Sequence, residues 1–532
     1  MLALLPSLFL IFIAAVVVIL HRSQRAIGYP WISAVAGSLL VWVALIIMRF
    51  QPPITFIKRA WQPSTDSDAL IAFQLDAYSW PYAFGLATVL VAYLLTSSAR
   101  LQKGSTPNDW AGSIALVATG IIATLSTTPL ALAAVWTVID FIELAYFLAN
   151  LRQDRDIRNL VASFSLRLTG TVFLLWALIV TRAEGEVLAF GAVIPQAGLF
   201  LLIAAGLRLG VIPLYLPHVQ DSPTRRDVGT IIRITISATG LAYLGRFPSI
   251  IVNPGWSVFL LVFTTLAVLY GSIMWLVARD EIAGRPFWMI ALASLAISST
   301  IRGNAPASIT WGVLLILCGS VLFLSTERTR VFRWINLLSV ISLLGLPFTP
   351  AAAGWLGLII PPFNVLDIII VLAYAVLLVG TVKHALRLEI PLEGLEPWVQ
   401  AVYPLGLLVL VIAQWLIAAL NIIPLTVGYW YAAIVTFVLA VVIIILFIRR
   451  KLITLAVEGQ PVEKTTQPGW FVAALEGFSR LEWLYAILGW FYRRLRSIVL
   501  FLTRNLEGDG GLFWVILLLA LLATLFRARG AG

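Results

Sequence analysis

The feature that most constrains this chain is the recurrence, from one end to the other, of apolar runs about twenty residues long. That length lets an α-helix cross roughly 30 Å of hydrocarbon. Backbone in lipid must satisfy its own hydrogen bonds, so each run is expected as a helix. The runs lie near 2–20, 29–48, 79–98, 110–126, 129–149, 159–181, 195–217, 228–249, 256–277, 287–301, 306–325, 334–358, 363–384, 399–420, 425–448 and 511–526. They describe an all-α polytopic membrane protein with about 16 transmembrane helices. Composition agrees: 61% of the 532 residues are hydrophobic and 11% charged, against about 25% charged in a soluble domain. The first run has no basic leader and no small-residue cleavage site, so it reads as a retained span rather than a signal peptide.

The 36 Lys and Arg against 25 Asp and Glu give a net charge of +11. On a soluble protein that surplus would point to nucleic acid; in a membrane protein it marks cytoplasmic loops, and no nucleic-acid partner is expected. Loops after odd-numbered spans, with their flanks, hold 19 Lys and Arg, from Arg22 and Arg25 through Arg225 and Arg226 to Arg449, Arg450 and Lys451. Loops after even-numbered spans hold six: Arg49, Lys58, Arg59, Arg182, Arg246 and Arg302. The asymmetry places both termini on the outer side of a plasma membrane, with Arg527 and Arg529 running against it. The one cysteine, Cys318, excludes intrachain disulfides and cysteine metal sites. His21, His218 and His384 lie far apart. With no Gly-rich phosphate loop and no nucleophile–base set, the sequence predicts no catalytic residues, no metal and no cofactor.

Breaking residues inside spans are informative because they free backbone groups in lipid. Span 7 carries Arg208 and then Pro213 and Pro217; span 12 carries Gly345, Pro347 and Pro350. The two breaks occupy matching places in five-span blocks, either spans 3–7 and 8–12 or spans 4–8 and 9–13. Paired breaks in blocks with an odd number of spans are the pattern of inverted repeats with a site near the midplane. The organisation expected is 1–109 as N-terminal spans 1–3, 110–250 as a first repeat of spans 4–8, and 251–388 as a second repeat of spans 9–13. Spans 14–15 follow in 389–450, an amphipathic interfacial helix in 451–510 and a final span in 511–532. The interfacial helix is read from Trp470, Phe471, Trp483, Trp490 and Phe491 alternating with Arg480, Arg493, Arg494 and Arg496.

Charged residues within spans are costly and face protein-lined paths. Asp140 and Glu143 on span 5 are three apart and share a helical face; Arg167, Arg208 and Arg233 lie on spans 6, 7 and 8, and Asp367 opens span 13. Two carboxylates and three arginines on spans 5 to 8 suit either an ion path or a fixed ion-pair lattice.

Several segments together resemble the antiporter-like membrane subunits of respiratory complex I (NADH:quinone oxidoreductase) and the Mrp-type cation/proton antiporters. These are FQLDAYSWPYA at 73–83, Trp136 on span 5, FSLRLTG at 164–170, Arg208 followed by Pro213 and LYLP and then Pro223-Thr224, LLGLPFTP at 343–350, and LEGDGGLFW leading into the last span. The resemblance covers roughly 70–526 and marks a divergent member. It implies an amphipathic lateral helix, other membrane subunits as partners, and protons or Na+ as cargo; any redox chemistry would belong to the partners. In the family a span 5 glutamate pairs with a lysine on span 7, and a lysine or glutamate on span 12 ends the relay. Here those positions hold Thr137, Arg208 and Trp355. Of the 36 basic residues only five are lysine (Lys58, Lys103, Lys383, Lys451 and Lys464), none mid-span. Lysine can be driven to titrate by burial, whereas arginine stays protonated. The sequence therefore leaves two expectations standing beside a remoter one, an unrelated solute transporter. The first is an ion-translocating subunit with a path along Asp140, Glu143, Arg167, Arg208 and Arg233. The second is a non-conducting structural paralogue.

Overall fold

In a computed structural model, the described residues are 2–23, 26–59, 70–101, 106–150, 154–212, 214, 226–325, 330–359, 363–387, 396–420, 422, 428–458, 486, 490, 493, 494 and 497. They form sixteen α-helices and one hairpin. In order these are α1 (Leu5–Arg22), α2 (Gly28–Arg49), β1 (Ile54–Arg59), β2 (Leu70–Leu75), α3 (Trp80–Thr96), α4 (Pro107–Leu125), α5 (Pro129–Asn150) and α6 (Asp154–Ala183). Then come α7 (Pro195–Leu209), α8 (Arg226–Leu241), α9 (Pro254–Val277), α10 (Glu281–Ile301), α11 (Ala305–Leu324) and α12 (Arg330–Ser342). The last are α13 (Ala352–Leu358), α14 (Val365–Ala385), α15 (Pro397–Ala419) and α16 (Trp430–Glu458). Among the described residues twelve helices are long and apolar enough to cross a membrane, with α7 and Trp430–Leu446 as shorter apolar helices.

The helices start where local chemistry favours starting. Proline sits at the first or second position of α3, α4, α7, α9, α11 and α15, where its fixed φ fits and its missing N–H costs nothing. Thr106 with Asp109, and Asn364 with Asp367, close capping boxes at α4 and α14, satisfying donors a helix end leaves bare. Burial then sorts the helices. The spans of α8 and α11 are buried throughout, and those of α3 and α10 nearly so, while α1, α2 and α6 bury well under half of theirs. In water the second group would be untenable; in lipid their apolar outer faces, such as Ile32, Leu40 and Ile47 on α2, are what the solvent prefers.

Two features bear on the expected spans. Span 12, over 334–358 with its break expected at Gly345, Pro347 and Pro350, is described by two helices: α12 ends at Ser342 and α13 begins at Ala352. Between them Gly345 has φ +71° and Phe348 φ +65°, left-handed values that stop a helix. Pro347 and Pro350 lie in that connection and have no N–H to donate. The second feature is the hairpin. β1 pairs antiparallel with β2, Ile54 opposite Leu75 and Arg59 opposite Leu70, in a stretch the span list passes over. It is tied to the bundle where Thr127 N–H donates to Ala72 O at 3.0 Å.

Within the described residues α7 ends at Leu209, with Gly210 at φ +71°; Pro213 and Pro217 lie outside them. The chain divides into two compact units, Met1–Thr465 and Thr466–Gly532. Of the second only five residues are described, among them Trp490, whose ring centroid lies 5.5 Å from the Arg494 guanidinium. Apart from those five residues, the stretch beyond 458, with most of the expected amphipathic helix and the expected final span, lies outside the described residues.

A buried charge cluster on helices α5, α6 and α7

Four of the five charged residues expected to line a path meet at one place. Asp140 sits in the middle of α5 and uses both carboxylate oxygens. Oδ1 accepts from Arg167 Nε of α6 at 3.1 Å, and Oδ2 from Arg208 Nη1 of α7 at 2.9 Å. Glu143, one turn on, pairs with Arg167 Nη2. Arg167 Nη1 donates to Ser163 Oγ at 2.8 Å, a partner four residues back on the same helix face. The Arg208 guanidinium lies 4.3 Å from the centroid of Trp136, a distance at which the ring's negative face attracts a cation. Each of the four charged side chains is at most 2% exposed. The fifth, Arg233, is buried on α8, which packs against α7.

The neighbouring positions explain how the helices come this close. A Cβ on Gly170 would lie 3.1 Å from Ala204 O and 3.8 Å from Arg208 N, so the glycine ending FSLRLTG lets α6 approach the turn of α7 that carries Arg208. Thr137, where the resembled family has glutamate, donates to Ala133 O at 2.8 Å; its hydroxyl is spent within its own helix. Asp140, one turn further, takes the ion pair instead. Sequence reading missed Ser163 and the stacking role of Trp136. The signals were Ser163 four residues before Arg167 and Trp136 four before Asp140.

Chemically the cluster is two fixed cations and two carboxylates. Arginine holds its proton, so Asp140 and Glu143 are its only groups able to take one up. Protonating either leaves a buried guanidinium short of its counter-charge, which is expensive unless the ion pairs rearrange. Proton occupancy and pair geometry are therefore linked.

Other buried charges tie the bundle together. Arg302 pairs with Asp367 at 2.6 Å, joining α10 to the start of α14, and Arg100 with Asp227 at 2.8 Å. Arg246 pairs with Asp76 at 3.1 Å and donates to Ser126 O and Gln74 O at 3.0 and 3.1 Å. That one guanidinium links the hairpin, the α4–α5 junction and the end of the α8 segment. Arg285 of α10 donates to Thr230 of α8 at 2.9 Å. Among the described residues no group of three His, Cys, Asp or Glu is placed to hold a metal ion.

Trp355, eight residues past Pro347, is fully buried in an aromatic trio. Its ring centroid is 6.0 Å from Trp311 and 5.2 Å from Tyr374, both edge-on, and those two are 5.2 Å apart. Trp311 Nε1 donates to Gly354 O at 3.1 Å, and Tyr374 Oη to Leu343 O at 2.7 Å.

No protein-family model matches the sequence, and no curated protein matches it. Solved structures do. A chain of the Mrp complex from Dietzia sp. DQ12-45-1b superposes with a TM-score of 0.70 at 15% identity, covering 99% of this chain and 63% of that one. This protein thus spans less than two thirds of the Mrp chain's length. A chain of the membrane-bound sulfane sulfur reductase, an archaeal respiratory membrane complex, gives 0.66 at 14% identity, covering 97% of this chain and 99% of that one. A chain of respiratory complex I from Thermus thermophilus gives 0.60 at 17% identity, covering 78% and 98%. The resemblance carried by the motifs is met at the level of fold: this is a polytopic membrane protein built like membrane chains of the Mrp complex, the sulfane sulfur reductase and complex I.

Proposed function

We propose that this chain is an antiporter-like subunit of a hetero-oligomeric membrane complex of the complex I or Mrp kind, one that moves protons or Na+, with its own ion-handling site at Asp140, Glu143, Arg167 and Arg208. Arg233 extends that site toward α8. The observation that carries the reading is Asp140, buried mid-helix and shared between arginines of two other helices. A carboxylate so placed changes its ion pairs when it takes up a proton, and the change reaches α6 and α7 together. On this reading the chain lies in the plasma membrane with both termini outside, and the halves 110–250 and 251–388 are inverted repeats whose breaks fall at Pro213–Pro217 and Gly345–Pro350.

Reconstituting the whole complex and comparing proton and Na+ flux in Asp140→Asn and Glu143→Gln tests this. Loss of most of the flux in either variant is expected; unchanged flux in both would remove the site. A non-conducting, structural subunit is the second reading. The observation favouring it is Trp355, an apolar ring where the family has a titratable group.

A further inference from the structure

The second half contains a polar set that the charge cluster does not use. Asn336 on α12 is fully buried, and neither its Nδ2 nor its Oδ1 has a hydrogen-bond partner. Ser339, three residues on and adjacent on the helix surface, accepts from Gln414 Nε2 of α15 at 3.3 Å. Gln414 is also fully buried, and its Oε1 is unpartnered. Cys318 Sγ of α11 lies 3.6 Å from Ser339 O. One turn before Asn336, half-buried Arg333 has an Nε without a hydrogen-bond partner. Three helices thus present amide, hydroxyl and thiol groups to one another with hydrogen-bonding capacity left over. Buried amide groups are costly unless something meets them. Water with several polar neighbours is stable in such a place, and neutral oxygens can replace the hydration shell of a hard monovalent cation.

Past the other end of α12 lies the aromatic trio. Tyr374 Oη donates to Leu343 O, the first residue after the helix. Gly345 lies so close to the Trp355 ring that a Cβ there would overlap it. Trp311 is seven residues before Cys318 on α11, about two turns away. The polar set and the trio therefore follow one another along α11 and α12.

We propose that the second half holds a blind inlet, entered from the Arg333 end of α12. Its Asn336, Ser339 and Gln414 oxygens take water and small monovalent cations, and Trp311, Trp355 and Tyr374 close it at the far end. The inlet rests on the membrane placement of the chain and not on ion transfer at Asp140. It stores no proton, because no carboxylate, lysine or histidine is among these residues, and it offers no passage through this half.

The chain's single cysteine makes the inlet readable. Silver ion, a hydrated monovalent cation that reacts with thiols, is applied to one side of vesicles of either orientation carrying the whole complex. The protein is then unfolded and the remaining free Cys318 alkylated and counted by mass spectrometry. The expected result is reaction at least about tenfold faster from the Arg333 side than from the opposite side, since thiol reactivity follows access. Trp355→Ala should raise the opposite-side rate to match, and Trp355→Phe, which keeps a ring in place, should leave the asymmetry intact. Asn336→Leu combined with Gln414→Leu should slow the Arg333-side reaction. Cys318 inert from both sides in the wild type would overturn the inlet. Equal rates from both sides, or an asymmetry untouched by Trp355→Ala, would overturn the closure. Ion flux enters none of these readings, so their failure is separate from failure of the Asp140 site.

Discussion

At the scale of single residues, the charge cluster centres on Asp140. It compensates two arginines from different helices, while Glu143 pairs with only one of them. Removing one member of a buried pair costs about 3–5 kcal/mol, because the charge left behind has no counter-ion. Asp140→Ala should therefore lower stability by about that amount, more than Glu143→Ala does, as read from thermal unfolding of the purified complex. Asp140→Ala joined to Arg208→Leu should recover part of the loss; a double variant no better than the single one would show that the pair does not act as a unit. Part of this site was legible in the sequence: Asp140 and Glu143 share a helix face by their spacing, and buried charges in spans are few. What spacing alone does not say is which carboxylate receives both arginines. That depends on how α6 and α7 pack on each other and on α5, and Gly170 lets α6 approach α7.

At the scale of elements, the long helices follow from the apolar runs, whereas the short pieces do not. The hairpin escaped because its strands, ITFIKR and LIAFQL, are short and show no polar–apolar alternation to mark them as strands. Span 12 covers both α12 and α13, and Gly345, Pro347 and Pro350, where its break was expected, lie in the connection between them. Gly345 supplies a φ of +71° beside the Trp355 ring, so Gly345→Ala should destabilise by about 1–3 kcal/mol. Exposed Gly112 of α4, with nothing within reach of an added Cβ, is the control; Gly112→Ala should be neutral or slightly stabilising. Equal unfolding temperatures for the two variants would contradict the strained connection. At the hairpin, Arg246→Ala removes the group shared by Asp76, Gln74 O and Ser126 O. Faster proteolysis or hydrogen exchange across Ile54–Leu75 is expected, with little change at α10 and α11; uniform exchange changes would mean the hairpin is held by other contacts.

At the scale of the whole molecule, the fold is shared with membrane chains of multi-subunit assemblies. Asp140 and Glu143 lie mid-helix on α5 and meet arginines of α6 and α7, whereas α11, α12 and α15 meet around Asn336, Ser339 and Gln414; the buried Asp367 lies at a helix start, paired with Arg302. Five lysines among 36 basic residues already leaned that way in the sequence, since arginine fixes charge but does not pass its proton on. Under the proposed function, ion handling falls to carboxylates whose proton uptake must rearrange ion pairs. The most direct test is proton and Na+ flux in the reconstituted complex carrying Asp140→Asn, a near-isosteric change that keeps the helix and removes the charge. Loss of most of the flux, with assembly of the complex intact, is expected if Asp140 handles the ion; wild-type flux in that variant would contradict that role.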